Sequence, residues 1–228
     1  MALARDAGAT DLLRPTGYHR IFGDAKAFAA GLAEAEVARR EHGVNSVALN
    51  ADELATAEPH LTPGKIGAIH WTDTYSVSNP HGLTSAYARL FVASGGTMAI
   101  GGASTLERAA SGWRLQTADG PVEASQVAVA MGPSSGKVTK PLGYDPPLFG
   151  MRGYHMHYKL GGNAVLHRPF LDDDHGFLLT PMRHGVRLTT GAEFARPDAP
   201  ATPVQLERVE PVARALFPLG FCQGSRQT

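Results

Sequence analysis

The stretch VEASQVAVAMGPSSGKVTKPLGYDPPLFGMRGYHMHY, Val122 to Tyr158, decides how the chain is read. Gln126 to Met131 is a short apolar run (Val127, Ala128, Val129, Ala130, Met131), which suits a strand buried on both faces of a parallel sheet. It stops at Gly132-Pro133, where the backbone can approach a ligand closely. Nucleotide sites are often built at the carboxyl end of such a strand. A Pro-rich connection then leads to a strand carrying Arg-Gly-Tyr-His-Met-His-Tyr, Arg152 to Tyr158. Side chains alternate faces in a strand, so Arg152, Tyr154, Met156 and Tyr158 share one face, and Gly153, His155 and His157 the other. The first face sets a guanidinium, able to grip a carboxylate with two parallel hydrogen bonds, beside two phenols. It reads either as the wall of a site for a small amino-acid-like ligand or as a half-exposed strand whose aromatics pack.

Working outward, Thr16 to Phe22 reads as a strand. Asp24 caps a helix with Ala25, Phe28, Leu32 and Ala35 inward, closed by Arg39, Arg40 and His42 before Gly43. Ala51 to Glu58 is a short helix stopped by Pro59, and Ile66 to Trp71 a strand. Asn79-Pro80 is a cap followed by a first-turn proline. Its helix runs to about Ser94 with Leu83, Tyr87, Leu90 and Phe91 inward. Thr97 to Ile100 reads as a strand. Trp113 to Thr117 and Val122 to Met131 flank the hairpin turn Ala118-Asp119-Gly120. Beyond Met151 the pattern is strand-rich: Tyr154 to Leu160, Ala164 to His167, Phe177 to Pro181 and Val186 to Glu193. Thr202-Pro203 opens a last helix, with Leu206, Val209, Val212 and Leu216 inward, broken or kinked at Pro211. The expected class is α/β, shading into α+β, with two interleaved lobes.

The 228 residues are 43% apolar, enough for a real core. Twenty-one basic residues balance 21 acidic ones without a run of either sign, so no nucleic-acid or anionic-membrane partner is indicated. The single cysteine, Cys222, excludes an internal disulfide and a thiolate metal site and fits a reducing compartment. MALARDAGATDLL is no signal peptide, and no stretch has the apolar length of a membrane span, so a soluble protein is expected.

Other candidates are weaker. His155 and His157 have a spacing that two metal ligands on a strand could use, with Asp172, Asp173, Asp174 and His175 to complete them. Asp-Asp-Asp-His between strands is more often a solvated turn, and no metal is assigned. Ser134-Ser135 has no base and no G-x-S-x-G elbow around it. His70, His81 and His184 read as core or surface histidines. No G-x-G-x-x-G follows an opening strand, and there is no P-loop.

Four segments in order, IHWTDTYSVSNPHGLTSAYARLF (Ile69 to Phe91), VAVAMGPSS (Val127 to Ser135), PLGYDPPLFGMRGYHMHY (Pro141 to Tyr158) and FLLTPMRHGVRLTTGAEFAR (Phe177 to Arg196), resemble the FAD-dependent amino-acid oxidase and dehydrogenase (DAO) family. Within it the likeness is greatest to the small-subunit type of D-amino-acid dehydrogenase, and it extends from about Ala7 to Leu219. The resemblance implies a glutathione-reductase-like FAD domain interleaved with an antiparallel substrate sheet. It divides the chain into a substrate or cap segment (1–78), an FAD-domain segment (79–149), a substrate-sheet segment (150–220) and an unpatterned tail (221–228). It implies FAD as cofactor, an amino acid as substrate, hydride transfer from Cα, and a quinone-type acceptor or oxygen for the electrons. Gly132, Pro133 and Ser134 match the flavin-contacting turn, with Ser134 where relatives carry tryptophan. Arg152, Tyr154 and His155 match the strand beside the isoalloxazine and substrate. The family's Gly-rich turn for the ADP half and its carboxyl-terminal flavin segment have no counterpart here, so a truncated, inactive chain is expected. Two alternatives are a non-catalytic binding remnant and a chain completed by a partner. The implied location is cytoplasmic, or peripheral at the inner membrane face.

Overall fold

A computed structural model describes residues 1–196 and 198–222; the tail from Gln223 on lies outside the described residues. The chain forms two compact units. One comprises Met1–Tyr87, Arg152–Glu193 and the described residues from Pro200; the other comprises Ala88–Met151 and Phe194–Ala199. The helices are α1 (Ala2–Asp6), α2 (Ala25–His42), α3 (Ala51–Ala57), α4 (Pro80–Ala93), α5 (Ser135–Thr139) and α6 (Val204–Leu216). The strands are β1 (Leu13–Arg14), β2 (Tyr18–Phe22), β3 (Ser46–Asn50), β4 (Gly67–Trp71), β5 (Ser76–Val77), β6 (Glu107–Ala109) and β7 (Gly112–Thr117). They continue with β8 (Gly120–Ala124), β9 (Met151–Leu160), β10 (Phe170–Asp172), β11 (Phe177–Met182), β12 (Gly185–Phe194) and β13 (Leu219–Cys222). The mixed α/β class is as expected.

The first unit is built on a sheet ordered β13-β9-β12-β11-β10-β2-β4-β3. Alternation gives it two apolar faces. Ile21, Ala68, Tyr154, Tyr158, Phe170, Leu179 and Leu188 point to one, where Leu54 of α3 and Leu206, Val209 and Ala213 of α6 cover them. Each large side chain buried there contributes about 1.5–3 kcal/mol. On the other face Phe22, Ile69 and Trp71 pack under Ala35 and Phe28 of α2. Gly31 lets that helix sit close, since a Cβ there would stand 2.7 Å from Phe22 Cζ. Strand β9 follows the expected alternation, with Tyr154, Met156 and Tyr158 buried in the core and His155 and His157 turned away.

Local signals explain most boundaries. The Asp24 side chain accepts the N–H of Ala27 at 2.8 Å, and Gly43 closes α2 in the left-handed region at φ 65°. Asn50 and Glu53 form a capping box on α3. Asn79 accepts the Gly82 N–H at 3.0 Å ahead of Pro80. Helix α6 is not broken at Pro211.

Other expectations are corrected. Gln126 to Met131 forms no strand and is largely exposed, Val127 and Met131 included. A doubly buried strand needs hydrogen-bonded neighbours on both sides, and no described residue pairs with this run. Thr97 to Ile100 is likewise irregular. Ala164 to His167 is not a strand, because side chains take its backbone donors: Val165 N–H goes to His60 and His167 N–H to Glu58. The strand comes later, at β10. Leu32 and Phe91 are exposed rather than inward; Gly31 and Ala86 hold the buried positions. Strand β3 is an element that the sequence reading passes over. In the second unit β6, β7 and β8 form an antiparallel meander with the expected turn after Thr117.

The turn after β10 is solvated at Asp174 and His175, as expected, but it is anchored by a buried aspartate. Asp172 is fully buried and accepts the backbone N–H groups of Asp174 and His175. Lys65 Nζ lies 2.9 Å from Asp172 as an ion pair and 2.5 Å from Asp174, with side chains only 8% and 1% exposed for Lys65 and Asp172. Arg20 joins Asp173 at 2.6 Å to Glu34 of α2 at 2.7 Å. Removing one partner of such a buried network strands the opposite charge. Lys65→Met is therefore expected to cost about 3–5 kcal/mol in urea unfolding; a loss below about 1 kcal/mol would show a solvent-screened surface pair instead.

His19, on β2, is fully buried, with neither ring nitrogen hydrogen-bonded. Burial first, then the charges of His70 and Arg168, lowers its pKa from 6.5 to about 3. The unfolded chain thus binds the extra proton, and stability present above pH 6.5 is lost as pH falls toward 3. Between pH 7 and pH 5 that loss is about 2 kcal/mol. The raised Glu58 carboxyl acts in the opposite sense, nearer the carboxylate range. Urea unfolding of His19→Leu at both pH values is expected to show a clearly smaller acid loss than wild type. An equal loss would acquit His19.

Candidate active site

On the face shared with α2, the sheet carries a cavity of about 640 Å³ within the first unit. Such a volume suits a small-molecule site, for which about 300–1,000 Å³ is usual. Leu171, Leu178, Thr180 and Arg187, on β10, β11 and β12, line it from the sheet. They alternate with the core positions Phe170, Leu179 and Leu188, so the same pleat that builds the core aims them the other way. Thr180 and Arg187 are register partners. Tyr18 and the segment Thr74–Val77 add walls, as do Pro80, Leu83 and Thr84 of α4. Gly17 completes the rim at φ 66°; a Cβ there would lie 2.2 Å from the Trp71 carbonyl oxygen, so only glycine fits.

The cavity is mostly apolar, yet two polar groups in it lack partners. Arg187 Nε and the Ser76 hydroxyl are both buried without a hydrogen bond. Among the described residues no carboxylate pairs with Arg187, and burial alone pulls its pKa below the usual guanidinium range. A guanidinium held in an apolar cavity with no internal acceptor is primed for a planar anion such as a carboxylate. Sequence reading passed over Arg187. The signal was present: Arg187 follows the core residue Val186 and precedes the core residue Leu188, the place of an outward-facing residue.

The residues expected to carry the site lie as follows. Arg152 is bound to an internal carboxylate, that of Glu193, at 2.6 Å, and to the Pro200 carbonyl at 2.9 Å. Tyr154 is buried and donates to the same Glu193 at 2.5 Å while accepting the Thr202 N–H at 2.7 Å. Glu193 is held below the usual carboxylate range by Thr202 first, then Tyr154 and Arg152. His155 stands on the opposite face from Tyr154, its ring edge-on to His157 at 5.3 Å. His157 has its pKa lowered by burial, then by His155 and Arg187. Gly132, Pro133 and Ser134 form a single 3-10 turn in the second unit, with Gly132 at φ 54°. The histidine pair and the aspartates do not form one cluster. Among the described residues Asp172, Asp174 and His175 come within metal-ligating distance of each other, but Lys65 occupies that ground as an ammonium.

The family model for FAD dependent oxidoreductases (DAO) matches residues 2–225, and the chain belongs to that family. Its fold is similar to that of glycine oxidase from Bacillus cereus ATCC 14579 (TM-score 0.74, 20% identity, 99% of this chain and 63% of that one). It is also similar to iminodiacetate oxidase from Chelativorans sp. BNC1 (TM-score 0.74, 17% identity, 99% and 64%). L-proline dehydrogenase from P. horikoshii is a third (TM-score 0.72, 14% identity, 99% and 63%). The chain thus spans about three-fifths of the length of these structures. No curated protein matches it in sequence. Among the described residues no helix is long and apolar enough to cross a membrane.

Family membership implies FAD. The cavity offers apolar walls and the unpartnered Arg187 Nε, but no group placed for a flavin. No described turn fits the pyrophosphate. At the strand-to-helix turn from β2 to α2, the Gly23 N–H is taken by Asp174 at 2.8 Å and Asp24 caps the helix. Gly132 has nothing within 4 Å of an added Cβ, so no cradle closes on it.

An unpaired, desolvated cation is a cost to the fold that a site retains for its ligand. Arg187→Met is expected to raise stability by roughly 0.5–1 kcal/mol, read as a higher urea midpoint at unchanged slope. A destabilised variant would mean that Arg187 holds the sheet together.

Proposed function

We propose that this chain forms the substrate-binding part of an FAD-dependent amino-acid dehydrogenase or oxidase, of the D-amino-acid dehydrogenase type its motifs resemble. The unpaired Arg187 in an apolar cavity is the observation that carries the reading. Arg187, rather than the Glu193-bound Arg152, takes the substrate carboxylate through its two-pronged donor face. Ser76 offers a second polar contact, and Leu83, Leu171 and Leu178 keep water off the substrate. Removing water strengthens the ion pair and fixes Cα, so orientation is the main service of these residues. FAD, when bound, would supply a hydride acceptor for Cα of the amino acid, with a quinone-type acceptor or oxygen taking the electrons. Arg152 and Tyr154 act as positioning residues, locking the end of β12 through Glu193, and His155 packs beside His157. Gly132, Pro133 and Ser134 serve as the flavin-side turn. Residues 1–78 and 150–220, with the first turns of α4, act as the substrate part, and the rest of 79–149 acts as the FAD-side segment.

Ligand linkage tests this without turnover. A ligand at 100 times its Kd stabilises by about 2.7 kcal/mol, so D-alanine is expected to raise the melting temperature of the chain, with L-alanine weaker. Arg187→Gln abolishes the shift, and Arg187→Lys restores only part, because an ammonium lacks the fork. No shift with any α-amino acid or 2-oxo acid would overturn the reading. An equal shift in Arg187→Gln would move the site elsewhere.

A further inference from the structure

A second cavity, of about 340 Å³, lies in the same unit and shares Pro80 and Arg187 with the first. Its lining holds two arginines and three histidines. Arg183 and His184 come from the β11–β12 turn, His157 from β9, His81 from the first turn of α4, and Arg187 from β12. No aspartate or glutamate lines it. Among the described residues neither Arg183 nor Arg187 has a carboxylate partner. Elsewhere in this unit Arg20 is paired to Asp173 and Glu34, Arg152 to Glu193 and Arg214 to Glu210. Arg168, like Arg187, has a buried Nε without a hydrogen bond, but it does not line this cavity.

The backbone fixes this arrangement. The Arg183 N–H donates to the Ser78 carbonyl at 2.9 Å, and Ser78 N–H and Oγ both reach the Leu12 carbonyl. The β11–β12 turn is thus tied to the residues that lead into α4. The helix also begins here, with Asn79 capping and Pro80 in the first turn, so its positive end adds to the same field. A concave site walled by one sign of charge attracts and selects an anion of the opposite sign.

We infer that this second cavity is a subsite for a distal anionic group, so that the substrate is an amino acid with a second acid function, its α-carboxylate on Arg187 and its distal carboxylate on Arg183. This rests on the amino-acid reading above. Arg187 stands at the junction of the two cavities, which puts both within reach of one short ligand. Arg183 and His184 are exposed, so the distal carboxylate keeps part of its hydration and avoids the penalty of a fully buried charge. One molecule spanning both cavities gains over two separate anions, because its second contact is intramolecular.

Titration calorimetry of the 228-residue chain with D-glutamate and its neutral isostere D-glutamine decides the matter. D-Glutamate is expected to bind about tenfold tighter, the worth of one charge-assisted contact. Arg183→Gln brings D-glutamate down to the D-glutamine value, Arg183→Lys recovers part, and D-glutamine binding reports that each variant is folded. Inorganic phosphate is expected to compete with the distal group of D-glutamate while leaving D-alanine binding alone. Equal binding of glutamate and glutamine, with alanine still bound, overturns the distal subsite and spares the amino-acid reading. Phosphate displacing alanine and glutamate alike overturns it as well, since the two cavities would then be one anion site. Failure of all three amino acids overturns both.

Discussion

The seam between β2 and β10 is the joint on which the first unit depends. Strands β3, β4 and β2 come from one stretch of chain, and β9 to β13 from another about a hundred residues later. The two halves of the sheet meet only in three parallel pairs, His19 with Phe170, Arg20 with Leu171 and Ile21 with Asp172. Three pairs are few, and parallel pairing is slightly weaker per residue. Carboxylates secure the seam at both ends. Glu58, buried, accepts the N–H groups of His167 and Arg168 at 3.0 and 2.9 Å just before β10. Asp172, Asp173 and Asp174 bind Lys65, Arg20 and the Gly23 N–H just after it. Longer-range order in this unit rests on these charges being met.

The same seam places the cavity. Tyr18 and Gly17 enter it from β2, and Pro169 and Leu171 from the β10 side. Arg187 sits two strands from the seam, half-buried and with its Nε lacking an acceptor. Arg152 shows the contrary case. Its partner Glu193 lies within the same unit, so its charge is spent on structure.

The helix boundaries were legible because they are written in single residues: Asp24 and Gly43 around α2, Asn50 and Glu53 on α3, Asn79-Pro80 on α4. The alternation on β9 was equally plain, since period two needs no knowledge of neighbours. Apolar runs were less trustworthy. Val127 to Met131 has the composition of a buried strand, but burial requires partners that no local pattern supplies. Ala164 to His167 looks like a strand and is instead bonded to Glu58 and His60, more than a hundred residues earlier. The candidate site was legible only in kind. An arginine for a carboxylate was expected, at Arg152, and Arg187 was passed over because every feature that distinguishes the two is a partner distant in sequence.

The sequence by itself determined the secondary-structure termini, the mixed α/β class, the two-faced character of the strands and, through four ordered segments, the family. These follow from capping chemistry, side-chain period and motif order, all of them local or linear properties. Only the tertiary structure decided which charges are met. It alone drew Lys65 among the aspartates, gave Arg152 to Glu193 and left Arg187 with no acceptor, because whether a buried charge is paired depends on which distant segment folds against it.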